Sequence, residues 1–375
     1  MHSYTTKFIL SLQMLLMAIF NSCQAQVPFE ELVARGDTNI IINKEFNLDG
    51  KIIDLPKDLT FTFCKGGRLR NGAIIGRNTT ISGCSHGIFD GISISGDWNV
   101  EYISTDMFTS ISSVDCLKEV MSLASPNVHN VLTIMPGEYK VRADTNDIRV
   151  LVVPSNTEVI MNGTIHLEPN ALGKYYIFYL EGENIKLHGN GVILGDKYSH
   201  LDNKWEWGMG ISIHNSNKVE VSDLTVKNCW GDCIYIDDNS QNIHINNCVL
   251  DNGRRQGISI ISGDNILIEN CLISNVHGTA PQFGIDIEPD PDKHIGSVTI
   301  KNVKVHNCVG GIMSWGSAEK ASIGTVELLN CYVDGVDETK DTYFFNGLKK
   351  LELNNCHSDQ EKKPRIEKVK IVVIN

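Results

Sequence analysis

Two acids stand two residues apart in the run Gly284-Ile285-Asp286-Ile287-Glu288, and a third, Asp232, leads into the earlier run Cys233-Ile234-Tyr235-Ile236-Asp237. On an extended strand Asp286 and Glu288 share one face, with Cα atoms about 6.6 Å apart. Carboxyls about 6.5 to 9.5 Å apart leave room for a water, so that one can protonate a leaving oxygen while the other activates the attacking water. Crowding of the two raises one pKa toward the working pH. Asp237 with Glu288, or Asp232 with Asp286, offers the same division of labour if stacked strands place them two spacings, about 9.6 Å, apart. We take Asp232 and Asp286 as the acid–base pair and Glu288 as the supporting acid. The competing reading is a set of acids neutralised by Arg254 and Arg255.

The residues around these acids follow from aligning the similar runs GISIH, CIYID, GISII, GIDIE and GIMSW, which begin at Gly210, Cys233, Gly257, Gly284 and Gly311. Isoleucines 211, 234, 258 and 285, and again 213, 236, 260 and 287, point into a core. The alternate positions then form two outward columns: Ser212, Tyr235, Ser259, Asp286, Met313, and His214, Asp237, Ile261, Glu288, Trp315. Tyr235, His214, Asp237 and Trp315 are thereby candidate ligand contacts, as are Arg254 and Arg255. Trp205 and Trp207 occupy an insertion, HLDNKWEWGMG, where loop indoles either stack on flat apolar ligand faces or pack beneath the loop. His277 and His294 lie in loops flanking the acidic strand. The run DIEPDPD offers Asp286, Glu288, Asp290 and Asp292 as hard oxygen donors, and calcium is the one cofactor that would suit them. Their spacing is not an EF-hand loop, and Pro289 and Pro291 also serve simply to end a strand, so no dedicated metal site is assigned.

The elements that must position these residues show themselves as a repeat. Asn-Cys occurs at Asn228, Asn247, Asn270, Asn307, Asn330 and Asn355, at intervals of 19, 23, 37, 23 and 25 residues. One supersecondary unit per 20 to 25 residues, with one long insertion between Cys271 and Cys308, reads as a parallel β-helix. Stacked coils about 4.8 Å apart let the asparagines bond in a ladder and the cysteines stack as small buried groups. Residues 1–25 have the form of an export signal, with Lys7 ahead of the apolar stretch Phe8–Phe20; either cleavage follows Ala25 or Cys23 carries lipid. Residues 26–108 form an N-terminal β portion, and 127–375 the main solenoid. Between them, at 109–126, Val114, Leu117, Val120 and Met121 fall at helical spacing behind a serine cap, predicting a short helix that caps the solenoid.

Composition bounds the partners. With 42% apolar residues the chain can fill the core of one elongated domain, and a solenoid escapes the usual limit on domain size. Without Lys7 the balance is 32 bases against 45 acids, a charge of −13, which opposes binding to nucleic acid or anionic membranes. No apolar stretch long enough to be embedded in a bilayer follows the signal. We expect a monomer, exported to the periplasm, the medium or a lipid anchor at the cell surface. The eleven cysteines lack the short regular spacing of a small disulfide scaffold, so most are read as buried thiols.

The order of helix, VLTIMPGEY, IKLHGNGVILGD and GISIHNSNKVEVSDLTVKN resembles the pectin-lyase-like superfamily. Within it the nearest likeness is to the polygalacturonase-like glycoside hydrolases of family 28, over roughly residues 128 to 335. The resemblance implies an all-β, single-stranded right-handed parallel β-helix whose outward sheet lines a groove for a polysaccharide or oligosaccharide. The signatures depart from that family. Trp230-Gly231-Asp232-Cys233 keeps one acid of a Gly-Asp-Asp-Cys motif; Arg255-Gln256-Gly257 stands where Gly-His-Gly is expected; and Gly284-Ile285-Asp286-Ile287-Glu288 replaces Gly-Ile-Arg-Ile-Lys, exchanging two cations for two anions. Those cations neutralise substrate carboxylates, so a galacturonate substrate is not expected. The reading is inverting hydrolysis of a neutral or weakly charged glycan. Two alternatives stand beside it: a calcium-dependent polysaccharide lyase using Lys293, Arg254 or Arg255 as base, and a β-helix that binds glycan without cleaving it.

Overall fold

The computed structural model describes residues 27–109, 114 and 116–375. The segment expected to be an export signal, with Cys23, and the serines that would cap the helix lie outside the described residues. The chain winds as a right-handed parallel β-helix whose typical coil holds three short strands. Ile234–Asp237, Ser240–Asn246 and Val249–Asp251 make one such coil, and Ile258–Ile260, Gly263–Glu269 and Leu272–Ser274 the next. Every strand pairs in parallel with its counterpart one coil away. The first two strand positions run together as an 18-stranded sheet and the third as a 9-stranded sheet.

Alternation of side chains decides what lies inside. Isoleucines 211, 213, 234, 236, 258, 260, 285 and 287 are all fully buried, filling the lumen with branched chains that suit a pleated strand. The register then sets Ser212 beside Tyr235, Tyr235 beside Ser259, Ser259 beside Asp286 and Asp286 beside Met313. His214 stands beside Asp237 in the neighbouring column.

The Asn-Cys repeat occupies two turns of the coil, not one. Asn247, Asn270, Asn330 and Asn355 follow second strands, whereas Asn228 and Asn307 follow third strands. The missing rung of the first ladder is Asn302, which donates to Asn270 (3.0 Å) and accepts from Asn330 (3.2 Å); Asn355 donates in turn to Asn330 (2.8 Å). The interval of 37 is thus one coil, spanning 32 residues from Asn270 to Asn302, plus a step to the next turn, and not a single insertion. All six asparagines have φ of 51–56°, a left-handed conformation that Asn tolerates better than most side chains.

Strands between Asn39 and Asn99 form a separate six-stranded sheet. Its core carries a run of aromatic rings, Phe29, Phe61, Phe63, Phe89 and Phe108, with successive centroids 5.2–6.1 Å apart. A short helix, Phe29–Ala34, buries Phe29 and Val33 against it and has no counterpart in the sequence reading. The second helix spans only Cys116–Met121, burying Leu117, Val120 and Met121 against the strands Phe89–Asn99 and Arg149–Val153. Tyr102–Ser104 already pairs with Asn130–Ile134, so the main sheet begins before this helix. No described helix is long and apolar enough to cross a membrane.

Candidate active site

Asp232, Asp286 and Glu288 meet in one acid cluster, although two coils separate Asp232 from Asp286. The link is the coil between them. Ser259, whose neighbour in the register is Asp286, donates its hydroxyl to Asp232 Oδ2 at 2.8 Å. Arg255 Nη1 donates to the same oxygen at 3.2 Å, and its Nε lies 3.4 Å from Glu206. Gln256 Nε2 donates to Asp286 Oδ2 at 2.6 Å. Asp232 Oδ1, Asp286 Oδ1 and Arg255 Nε are buried without a protein hydrogen-bond partner. Such groups cost free energy unless a water or ligand meets them.

The outward column is less open than an alternating strand suggests. Asp232 is 0% exposed, Ser259 0% and Asp286 2%, while Glu288 is half-buried. Neither Asp232 nor Asp286, though off the isoleucine face, reaches solvent. Burial pushes the Asp286 carboxyl well above the usual carboxylate range, and the Glu288 charge pushes it further. Burial also raises Asp232, opposed by Arg255 and the Ser259 hydroxyl, and raises Glu288 against the pull of Arg255. Asp286 thus holds a proton more readily than Asp232, which alone of the two has a cation bonded to it.

A second cluster lies toward the N-terminal coils on the same face. Lys293 Nζ sits 2.6 Å from both oxygens of Asp237 and 3.7 Å from Asp238. Ser262 and Tyr235 also donate to Asp237, at 2.9 and 3.2 Å. Burial raises the Asp237 carboxyl, but Lys293, a backbone N–H and Ser262 together hold it below its ordinary value. His214 bonds Asp238 at 2.8 Å and Ser212 at 3.1 Å, and stacks on Tyr179 at 4.8 Å between centroids. Asp237 is therefore held in this ion pair rather than joined to Glu288.

Arg254 does not bond the acids. Its guanidinium lies 3.7 Å over the ring of Trp230, whose other stacking partner is His200 at 4.0 Å. His200 in turn bonds the fully buried Asp196 (2.8 Å), which also accepts from Tyr175 and Asn170. This network supports the loop that bears Trp205 and Trp207. Trp230 Nε1 donates to the Trp205 carbonyl at 2.8 Å, and the two loop indoles lie 5.6 Å apart, 53% and 37% exposed. Trp315, also exposed, lies 5.8 Å from Phe344 beyond the acidic coil. His277 lies beside Lys197 and His294 bonds Ser322, so neither is among the partners of the acids.

The calcium set does not come together: Asp292 pairs with Lys320, and Asp286 turns into the cluster with Gln256. Among the described residues the one group with metal-ligand geometry is His214, Asp237 and Asp238, where the Lys293 ammonium already bonds both Asp237 oxygens. Gln256, Ser259 as a bond donor, and Glu206 were not singled out by sequence reasoning. Glu206 lies within the Trp-Glu-Trp run that drew attention for its indoles alone.

Residues 165–337 match the family model of the right handed beta helix region. An uncharacterized Bacillus subtilis protein, YclG, is 31% identical over an alignment of 188 positions that covers 44% of this chain and 32% of that protein. The chain thus spans about a third of that relative's length. Among solved structures, the tailspike gp49 of Acinetobacter baumannii bacteriophage Fri1, a capsular polysaccharide depolymerase, superposes with a TM-score of 0.44 at 12% identity, covering 73% of this chain and 57% of that one. The polygalacturonase of Erwinia carotovora gives 0.42 at 14% identity, covering 71% and 92%. At such identities neither structure assigns an activity here.

Proposed function

We propose that this chain, a right-handed parallel β-helix of the pectin-lyase-like superfamily, is an exported protein that hydrolyses a neutral or weakly charged polysaccharide with inversion. The observation that carries the reading is the gathering of Asp232, Asp286 and Glu288 about Arg255, with two buried carboxylate oxygens left unpartnered. The coils that bear Asp232 and Asp286 are two strand spacings, about 9.6 Å, apart, near the upper end of the range that admits a water between base and sugar. Asp286, with its neighbour Glu288 at the groove, supplies the proton to the glycosidic oxygen, and the bond from that oxygen to the anomeric carbon breaks. Asp232, whose rise on burial Arg255 opposes, takes a proton from the water whose oxygen attacks that carbon from the opposite face. One proton passes from acid to base in each turnover and returns through solvent.

Acids outnumber cations in the cluster, which disfavours an anionic sugar. Trp205 with Trp207, and Trp315 beyond the acidic coil, offer flat apolar surfaces of the kind that stack on sugar faces. A second reading, a glycan-binding β-helix without catalysis, is favoured by one observation: Asp232 and Asp286 are shut from solvent. Incubation with a panel of neutral and acidic polysaccharides, with and without calcium, separates these readings. Reducing ends without unsaturated uronide absorbance, lost in Asp286→Asn, support hydrolysis. Calcium-dependent absorbance supports a lyase, and binding without new ends supports the module.

A further inference from the structure

The side chain of Gln256 is completely buried and held at both ends. Its Oε1 accepts from the backbone N–H of Phe283 at 2.7 Å, and its Nε2 donates to Asp286 Oδ2 at 2.6 Å. The amide cannot be turned over, because the Phe283 N–H can only donate and so requires the oxygen. Phe283 opens the strand that carries Asp286, so donor and acceptor are fixed by one rigid element. The nitrogen facing Asp286 has no lone pair to accept a proton. A neutral Asp286 therefore meets that nitrogen best with its carbonyl oxygen, the stronger acceptor, at Oδ2, which places its proton on Oδ1. Glu288 is the acid that faces and hydrogen-bonds this carboxyl, and Arg255 and Asp232 are the other charges near it.

We propose that Gln256 is a positioning residue: its locked amide holds the carbonyl oxygen of neutral Asp286 at Oδ2 and so directs the proton to Oδ1, the oxygen turned away from the amide. This deepens the hydrolytic reading and rests on it for the catalytic consequence, but the placement of the proton is a property of the unliganded protein. Without the amide, either oxygen of Asp286 can hold the proton, and the carboxylate form loses its best donor.

The test uses the full chain labelled with 13C at aspartate Cγ, the Asp286 signal being identified by its absence in Asp286→Asn. Gln256→Leu removes the donor, and Gln256→Glu keeps the shape while adding a titrating group. In Gln256→Leu the Asp286 midpoint is expected to rise by about one pH unit or more, the equivalent of a lost hydrogen bond to a charged group. Gln256→Glu is expected to titrate jointly with Asp286 and Glu288, adding a third linked step to the two that this pair already shares in the native protein. An unchanged Asp286 midpoint in Gln256→Leu, in a protein whose thermal unfolding shows it folded, overturns the proposal; so does a Gln256→Glu titration with no step beyond those of the native protein. The titration needs no substrate. Silence on the polysaccharide panel with these shifts present refutes the hydrolytic reading and leaves the placement of the proton standing.

Discussion

Arg255 lies 3.2 Å from Asp232 and, on its other side, 3.4 Å from Glu206, so a single largely buried guanidinium joins an acid of the sheet to an acid of the tryptophan loop. Asp232 is wholly buried and, among the described residues, Arg255 is its only charged partner within bonding distance, so removing the cation leaves an ionised Asp232 uncompensated in the fold. Breaking a buried pair from one side costs about 3–5 kcal/mol. Arg255→Leu is accordingly expected to lower the denaturation midpoint strongly, and Asp232→Asn made in the same background to recover part of the loss. Equal midpoints for the native and Arg255→Leu proteins would refute this coupling.

Asp286 should trade stability for function. Its pKa is raised in the folded state above the ordinary 3.8, so its contribution to stability is full below about that pH and is lost as pH rises toward the folded value. Asp286→Asn removes this penalty. It is expected to melt about 1–3 °C higher than the native protein at pH 7, with the gain vanishing near pH 4, while hydrolysis falls by about 10²- to 10⁴-fold. Scanning calorimetry at both pH values checks the first part and reducing-end assays the second.

The pair of Lys293 and Asp237 has the opposite sign. Here the folded pKa of the acid is lowered, so its stabilisation is present above the unfolded value and is lost as pH falls through the folded one. Because Lys293 is about a third exposed, Lys293→Met is expected to cost only about 1–3 kcal/mol. The difference from the native protein should shrink below pH 4. A urea titration series from pH 3 to 7 would expose a constant difference if the pair were irrelevant.

The loop tryptophans make a prediction about binding alone. Trp205 and Trp207 are too exposed to support the core, so Trp205→Ala and Trp207→Ala should leave thermal unfolding nearly unchanged. Loss of one stacking surface is expected to raise KM about 2- to 10-fold with kcat preserved. A fall in kcat at constant KM would instead place the loop in the chemistry.

Among the described thiols, Cys64 is exposed and Cys84 and Cys356 are half-buried, whereas Cys116, Cys229, Cys233, Cys248, Cys271, Cys308 and Cys331 are buried. A hydrogen bond from Cys331 lowers the Cys356 thiol to about 7 against the effect of burial. Mass mapping after brief treatment with a thiol reagent at pH 7.5 should find Cys64 and Cys356 modified first, the buried thiols reacting only on unfolding.

Much of this molecule is written in local pattern. A period of two, repeated coil after coil, forces the isoleucines of Ile258–Ile260 and Phe283–Ile287 inward, and with them Ser259 and Asp286 to the other face. Asparagine at the turns is legible too, since its tolerance of left-handed backbone is a property of the residue itself. The phase of the repeat was not: Asn228 and Asn247 look alike in sequence and sit on different turns, because Asn-Cys suits either.

What only tertiary structure decided is the fate of each charge. Nothing local to Arg254 and Arg255 says that the first lies on Trp230 and the second reaches Asp232. Likewise, Lys293 finds Asp237 across 56 residues, and Gln256 finds Asp286 across 30. The alternation of a strand depends on bonds a residue or two away, so composition and spacing determine it. Ion pairs and buried acids depend on which loop folds over which coil, and that is settled only when the whole solenoid closes.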